Sequence, residues 1–389
     1  MNSWSPGTTE VIPLRCDEGK FFPSIRILFN TLNPGLHGGQ ATCDPMLEEA
    51  LRGLIEVRRY TYGRKSDREA IVQKTFGRIG DLVRLRTLCR RLRPHLIHHN
   101  SAFDFLAILR DAPLMLLAKR EAVPVFLRLH GSLHEAFLPV SGIFNLARQT
   151  VLRTADRIGV LSEIEKCEFE EAFPLVRGKV CVVKNIINCE FAAVERQEAD
   201  RPTVLFLSRF IRKKGPFDLL HAVPLVLKRE PASQFLFVGD GEDADAFDSE
   251  ATAMNLGDAV RRIPHVDSRQ SLSLYAKAWM FVFPTYFPEG MPMVIGEAMA
   301  AGLPIVSSPT RFSRSYMTEG VHVIYSEPGD VHSIAGNILK LCQDSKLRDR
   351  MSLANRKLGL EWFTARRVVR EYVDIYQEIL KNSGRAQQG

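Results

Sequence analysis

Phe287-Pro288-Glu289-Gly290-Met291-Pro292-Met293-Val294-Ile295-Gly296-Glu297-Ala298-Met299-Ala300-Ala301-Gly302-Leu303-Pro304 lies between two short apolar runs, at 280–283 and 305–307. Pro284, Gly290 and Pro292 mark a loop, and the spacing from 293 to 301 predicts a helix. The segment thus reads strand, loop, helix, strand, the repeating unit of a parallel sheet covered by helices. Glu289 falls before the helix and Glu297 about one and a half turns inside it, so one carboxylate belongs to a pocket rim and the other to a helix face. Carboxylates accept from hydroxyls, and the free N–H groups of a helix start attract anions. Together they suit a ligand that is both polyhydroxylated and anionic, as a nucleotide sugar is.

The same rhythm runs outward in both directions. Short β-rich runs are expected at 25–29, 96–98, 123–129, 157–161 and 180–183, with helical stretches between them. A polar segment at 195–202 interrupts the series as a hinge would, and strands resume at 204–207 and 235–238. The expected fold class is α/β, with two doubly wound, Rossmann-like parallel sheets facing a cleft. Ligands of such sheets bind at the carboxyl ends of the strands. At the far end, Val368, Val369, Tyr372, Ile375, Tyr376, Ile379 and Leu380 carry the period of one last helix over 364–381. The expected division is a flexible tail at 1–20, an acceptor-side domain at 21–198, a donor domain at 199–362 and a terminal helix segment at 363–389.

Directly after the run 204–207 comes Ser208-Arg209-Phe210-Ile211-Arg212-Lys213-Lys214-Gly215-Pro216. Basic side chains between a strand end and a helix start can hold a diphosphate and answer its charge as it leaves. In the first half, Asn33-Pro34-Gly35-Leu36-His37-Gly38-Gly39-Gln40 follows the first strand, where Gly38 and Gly39 allow close backbone approach to a ligand. His130 closes the run 123–129, again at a strand end.

With these motifs in place, the chain resembles the retaining glycosyltransferases of family four, also called glycosyltransferases group 1, which have the GT-B fold. The Glu289 to Pro304 stretch resembles the family signature. Arg209 and Lys214 match its Gly-Arg-x-x-x-x-Lys-Gly motif, with Ser208 in place of the first glycine. The resemblance implies that Glu289 and His130 lie beside the donor sugar, that Arg209 and Lys214 hold the diphosphate, and that Glu297 meets the ribose. It implies catalytic parts for Glu289, His130, Lys214 and Arg209, and donor binding by Gly290, Met291, Pro292, Gly38 and Gly39 as well. Ser162-Glu163 and Lys184-Asn185 resemble two further family segments, although Ile186 stands where a glycine is usual. The terminal helix is implied to cross back onto the first domain. The activity so implied is metal-independent transfer of a sugar from a UDP- or GDP-linked donor, with no separate cofactor, to a saccharide or lipid-linked acceptor. The alternatives are a nucleotide-sugar epimerase on the same fold and a catalytically silent sugar-nucleotide-binding subunit.

Composition agrees with an ordinary globular protein: 389 residues, 45% hydrophobic and 25% charged. Seven scattered cysteines without a Cys-x-x-Cys pair speak against both a disulfide framework and a zinc site. No basic, apolar leader opens the chain and no apolar run has the length of a membrane span, so a cytoplasmic location is expected. The net charge of +7 is uneven, with thirteen Lys/Arg against four Asp/Glu between positions 52 and 93. Arg84, Arg86, Arg90, Arg91 and Arg93 alternate with leucines, as on a basic amphipathic helix that meets an anionic membrane surface. Aromatic residues are nearly absent among these arginines, so no nucleic-acid partner is expected. Two look-alikes are set aside. Val238-Gly239-Asp240-Gly241-Glu242 lacks the third glycine of a dinucleotide fingerprint, and Asp243 and Asp245 read as acidic residues of a helix start, not as metal ligands.

Overall fold

A computed structural model of the chain describes residues 25–31, 39–62, 71–131, 137–197, 199–264 and 266–384. The first half runs β1 (Arg26–Thr31), α1 (Gly39–Arg52), β2 (Glu56–Thr61), α2 (Ile71–Leu92), β3 (Leu96–Ser101) and α3 (Phe105–Arg120). It continues with β4 (Val125–Leu129), α4 (Gly142–Thr154), β5 (Arg157–Val160), α5 (Glu163–Ala172) and β6 (Val180–Val182). The second half runs β7 (Thr203–Leu207), α6 (Pro216–Leu227), β8 (Gln234–Val238), α7 (Ala244–Ala253), β9 (Val260–Ile263), α8 (Ser268–Lys277) and β10 (Met280–Phe283). There follow α9 (Met293–Ala300), β11 (Ile305–Ser307), α10 (Arg311–Tyr316), β12 (Val323–Tyr325), α11 (Val331–Gln343), α12 (Ser345–Trp362) and α13 (Ala365–Asn382).

All pairings within the two six-stranded sheets are parallel, in the orders β2-β1-β3-β4-β5-β6 and β12-β11-β10-β7-β8-β9. In the second sheet the chain leaves β7 toward β9, then returns to place β10 on the other side of β7. This reversal opens a crevice between the loops after β7 and β10, the place where such sheets hold ligands. The central strands are rich in apolar residues because both of their faces are covered: every residue of β4 and of β10 is buried, Arg128 included.

Three strands have no counterpart in the sequence reading, namely β2, β9 and β12. All three are sheet edges. An edge strand exposes one side to water and tolerates charge, as in Glu56-Val57-Arg58-Arg59 of β2 and Val260-Arg261-Arg262 of β9, which blurs the apolar signal. The basic stretch also needs correction. α2 ends at Leu92, and Arg93 lies beyond it with a φ of 45°. Val83, expected on the apolar side, is 62% exposed.

α13 packs back on the first half, against α1. Its buried positions Val368, Val369, Tyr372, Val373, Tyr376, Ile379 and Leu380 repeat at the helical period. The Tyr376 hydroxyl lies 2.5 Å from His98 Nδ1, and Lys184 donates to Glu371 at 2.7 Å. The polar segment expected as a hinge is bound to the second half: Gln197 and Ala199 N–H donate to the Ala276 and Lys277 carbonyls, and Trp279 Nε1 donates to the Ala199 carbonyl. No described helix is long and apolar enough to cross a membrane.

Candidate functional site

The loop after β7 folds into a single tight helical turn, Arg212–Lys214, closed by Gly215 at a φ of +81°. A β-carbon on Gly215 would sit 2.3 Å from the Pro284 carbonyl oxygen, so only glycine lets the two loops approach. Tyr286 and Phe287 N–H then donate to the Lys213 carbonyl at 3.0 and 2.9 Å. The result joins residues far apart in sequence: Lys214 Nζ is ion-paired with Glu289 and lies over the Phe287 ring at 4.5 Å. Both side chains are mostly buried. Burial draws the Lys214 pKa below its ordinary value, against the pull of the Glu289 carboxylate. Arg209 is exposed beside them.

Glu297 projects from α9 toward the same space. Burial raises its pKa to about 7, opposed by the Tyr275 hydroxyl, which donates to it at 3.0 Å. The cleft has a volume of about 1150 Å³. Of the residues singled out in the sequence, it is lined by Arg209, Lys214, Glu289, Gly290, Met291, Pro292, Glu297 and His130. Gly38 lies outside the described residues. Gly39 is the first residue of α1 and is not on the wall, which is formed instead by Gln40, Thr42, Cys43 and Met46 of that helix.

The opposite wall was barely legible. Arg128, fully buried on β4, donates from Nη1 to Asp44 Oδ1 at 3.0 Å and from Nη2 to Asn185 Oδ1. Asn185 in turn donates from Nδ2 to the Met291 carbonyl at 3.4 Å, which links the first half to the signature loop. His130 Nε2 lies 3.0 Å from Asn100 Oδ1 and 3.2 Å from Asp44 Oδ1, two acceptors that require the proton on this nitrogen. Nδ1 faces the Cys43 thiol at 3.7 Å, whose pKa burial raises to about 12, so the thiol is the donor. Burial also lowers the His130 pKa. Both ring nitrogens are thus occupied inside the first half, which limits the direct sugar-orienting part that the sequence assigned to His130. Asp44, Asn100 and Arg128 carry no motif; Arg128 resembles any charged residue in a strand until the sheet buries it.

Cys43, Asp44 and His130 place possible metal-ligand atoms within 4.8 Å of one another. The Arg128 guanidinium on Asp44 already supplies the positive charge there, and a second cation beside it would be repelled. Asp243, at the start of α7, accepts from the Arg212 N–H at 2.8 Å, and neither it nor Asp245 lines the cleft. Lys184 is tied to α13, and Ser162 caps α5 with Glu163 exposed.

The halves touch where Gly131 meets Gly290. A β-carbon on Gly290 would fall 2.7 Å from Leu161 Cδ1 and 2.8 Å from the Gly131 Cα, so this approach of the two halves needs glycine.

Comparison with known proteins places these features in one context. Residues 47–191 match the profile Glycosyltransferase Family 4, and residues 190–358 match Glycosyl transferases group 1. The chain is 28% identical over 192 residues to 2-deoxystreptamine N-acetyl-D-glucosaminyltransferase of Niallia circulans, a match that spans 49% of each chain. It is 33% identical over 153 residues to phosphatidyl-myo-inositol mannosyltransferase of Mycobacterium tuberculosis, covering 38% of this chain and 40% of that relative. It therefore spans about half or less of the length of these two relatives. The fold matches Anabaena HepE, crystallised with UDP and glucose, at a TM-score of 0.72 and 16% identity, over 91% of this chain and all of that one.

Proposed function

Because the chain belongs to the family-four, group 1 glycosyltransferases, we propose that it transfers a sugar from a nucleoside diphosphate to an acceptor hydroxyl, with retained configuration at the sugar and without a metal ion. The acceptor in this reading is a lipid-linked saccharide of a surface polysaccharide or glycolipid, met by a cytoplasmic protein at the inner face of the membrane. The observation that carries the reading is the Lys214–Glu289 pair at the crevice between β7 and β10. A cation held by a carboxylate is poised for exchange: the donor's diphosphate takes Lys214, with Arg209 beside it, and frees Glu289 to accept from sugar hydroxyls. Leaving-group charge is then answered by side chains, and the phosphate oxygens facing the acceptor can take its proton. UDP and glucose in the HepE structure and the phosphatidyl-myo-inositol acceptor in a relative's name support the donor and acceptor classes.

The test is a panel of nucleoside diphosphates and nucleotide sugars in the presence of a strong chelator. UDP or GDP should raise the melting temperature, since a ligand of the native state alone stabilises it. Transfer to a polyprenyl-linked saccharide should proceed undiminished in chelator. Loss of transfer that magnesium or manganese restores would overturn the metal-free reading.

Glu297 gives the site a pH dependence. Ribose hydroxyls donate to a carboxylate, so donor binding favours the deprotonated form, and KM for donor should rise as pH falls below about 7. Stability moves the other way. A carboxyl whose folded pKa lies above its unfolded value costs stability when ionised, and protonation relieves that cost as pH falls from about 7 toward about 4. Glu297→Gln should therefore melt higher than the parent at pH 8, with a gap that closes by pH 5, and should bind donor with a KM nearly independent of pH. A parent KM flat between pH 5.5 and 8 would refute the assignment of Glu297 to the ribose.

A further inference from the structure

Tyr275 of α8 is fully buried, and its hydroxyl lies 3.0 Å from Glu297 Oε2 and 3.3 Å from the Val294 carbonyl. An ionised carboxylate and a carbonyl both only accept, so the single phenolic proton points at them and the phenol acts purely as a donor. Burial, and after it the Glu297 charge, raises the Tyr275 pKa, so the hydroxyl keeps its proton. Among the described residues no group bonds Glu297 Oε1, and Glu297 lines the cleft while Tyr275 does not. One carboxylate oxygen thus belongs to α8 and the other to the cleft.

The ring is held in this contact from several elements. Phe191 meets it edge-on at 5.2 Å, and Phe281 of β10 lies against it at 5.9 Å. Phe191 comes from the helical turn Cys189–Ala193 in the segment between the two sheets, and that turn packs on α9. A β-carbon on Gly296, the residue before Glu297, would fall 2.8 Å from the Ile187 side chain of the same segment. Other charges near Glu297 are engaged elsewhere or in water. Across the cleft, Lys214 is paired with Glu289, Arg209 is exposed, and exposed Asp267 caps α8. On α8 itself Arg269 and Lys277 are exposed. Glu190 of the turn is exposed and bound by Asn188, and Arg356 of α12 donates to the Ala192 and Val194 carbonyls.

We propose that Tyr275 is the positioning residue of the donor site: it holds Glu297 Oε2 and so turns Oε1 to the ribose as the accepting oxygen. The inference rests on the assignment of Glu297 to the ribose given above. A hydrogen bond to the charged form favours that form, so the phenol keeps the carboxylate ionised to a lower pH than burial alone would allow. A proton that does arrive enters on Oε1, because Oε2 is already accepting. The oxygen that faces the ribose then changes from acceptor to donor, which is why donor binding weakens as Glu297 titrates.

The test is titration calorimetry of UDP and of GDP between pH 5.5 and 9 with the full chain, the parent against Tyr275→Phe, which keeps the ring and removes only the hydroxyl. The variant's affinity should begin to fall at a higher pH than the parent's, with a deficit of about threefold or more at pH 7 that closes by pH 9. Tyr275→Phe/Glu297→Gln should show the flat profile of Glu297→Gln alone, since the hydroxyl acts through the carboxylate. Melting reads the contact without a ligand. A hydrogen bond to an ionised group is roughly twice as strong as a neutral one, so the drop in melting temperature caused by Tyr275→Phe should be about twice as large at pH 8 as at pH 5. In the Glu297→Gln background that drop should be the same at both pH values. The expected melting pattern without binding of either nucleotide would overturn the functional reading and leave the contact standing. Superimposable binding profiles of parent and Tyr275→Phe, or a melting deficit equal at the two pH values, would overturn the inference itself and leave the hydroxyl a mere filler between Phe191 and Phe281.

Discussion

Lys214→Ala should lower kcat by about a hundredfold or more, ~3 kcal/mol, the usual worth of a group that meets charge as it develops. The donor leaves as a diphosphate, and Lys214 is the mostly buried cation at the crevice where that charge grows. In water a lost ammonium would be replaced by solvent; at this depth the low local dielectric makes the loss larger. Lys214 also lies over the Phe283 and Phe287 rings, so packing and charge must be separated. Lys214→Met keeps most of the apolar stem and removes only the charge, and it should lose nearly as much rate as alanine. Glu289→Ala acts on the same pair from the other side. It frees Lys214 for the diphosphate but removes the acceptor for sugar hydroxyls, and it should lower kcat with little change in donor KM. If folded Lys214→Met turns over at the parental rate with parental donor affinity, the diphosphate is held elsewhere and the functional reading fails at its centre.

The second half of the site could be read in the sequence because its parts are local. The loop Pro284 to Pro292, the helix from Met293 and the basic turn before Gly215 each announce themselves through proline, glycine and apolar spacing within a dozen residues. Two adjacent strands then bring the segments together, and parallel order alone predicts that much. The first half resisted for the opposite reason. Arg128, Asp44, Asn100 and Asn185 come from four separate elements and meet only after the sheet and α1 have formed. No spacing rule links position 44 to position 128. Edge strands β2 and β9 escaped because their outer sides are free to be charged, and a period-two or all-apolar pattern never develops; β12, Val323-Ile324-Tyr325, is apolar but only three residues long. The unpaired look of Arg86 and Arg90 was equally deceptive, since their partner Glu121 lies some thirty residues on, just past the end of α3.

Arg128→Leu should destabilise the protein by about 3–5 kcal/mol, the range for removing one member of a buried charge pair. The guanidinium is fully buried, and Asp44, 1% exposed, has no route to water once it is gone. Asn185 loses its partner as well, which loosens the bond to the Met291 carbonyl and should raise the KM for donor. The loss should also depend on pH. Arg128 now lowers the His130 pKa while Asp44 raises it, so without Arg128 the imidazole gains a proton more readily. In the parent, burial first and Arg128 after it hold the His130 pKa below its unfolded value of about 6.5, so stability is lost as pH falls below that value. Without Arg128 the pKa is lowered less and that loss shrinks, so the variant's deficit should be smaller at pH 5.5 than at pH 8. The paired variant Arg128→Leu/Asp44→Leu should recover much of the loss, since no isolated charge remains. Denaturant melts of the three proteins at both pH values decide the matter: a deficit below about 1 kcal/mol, within the range of an exposed ion pair, or one that does not change with pH, would mean that Arg128 only fills space on β4.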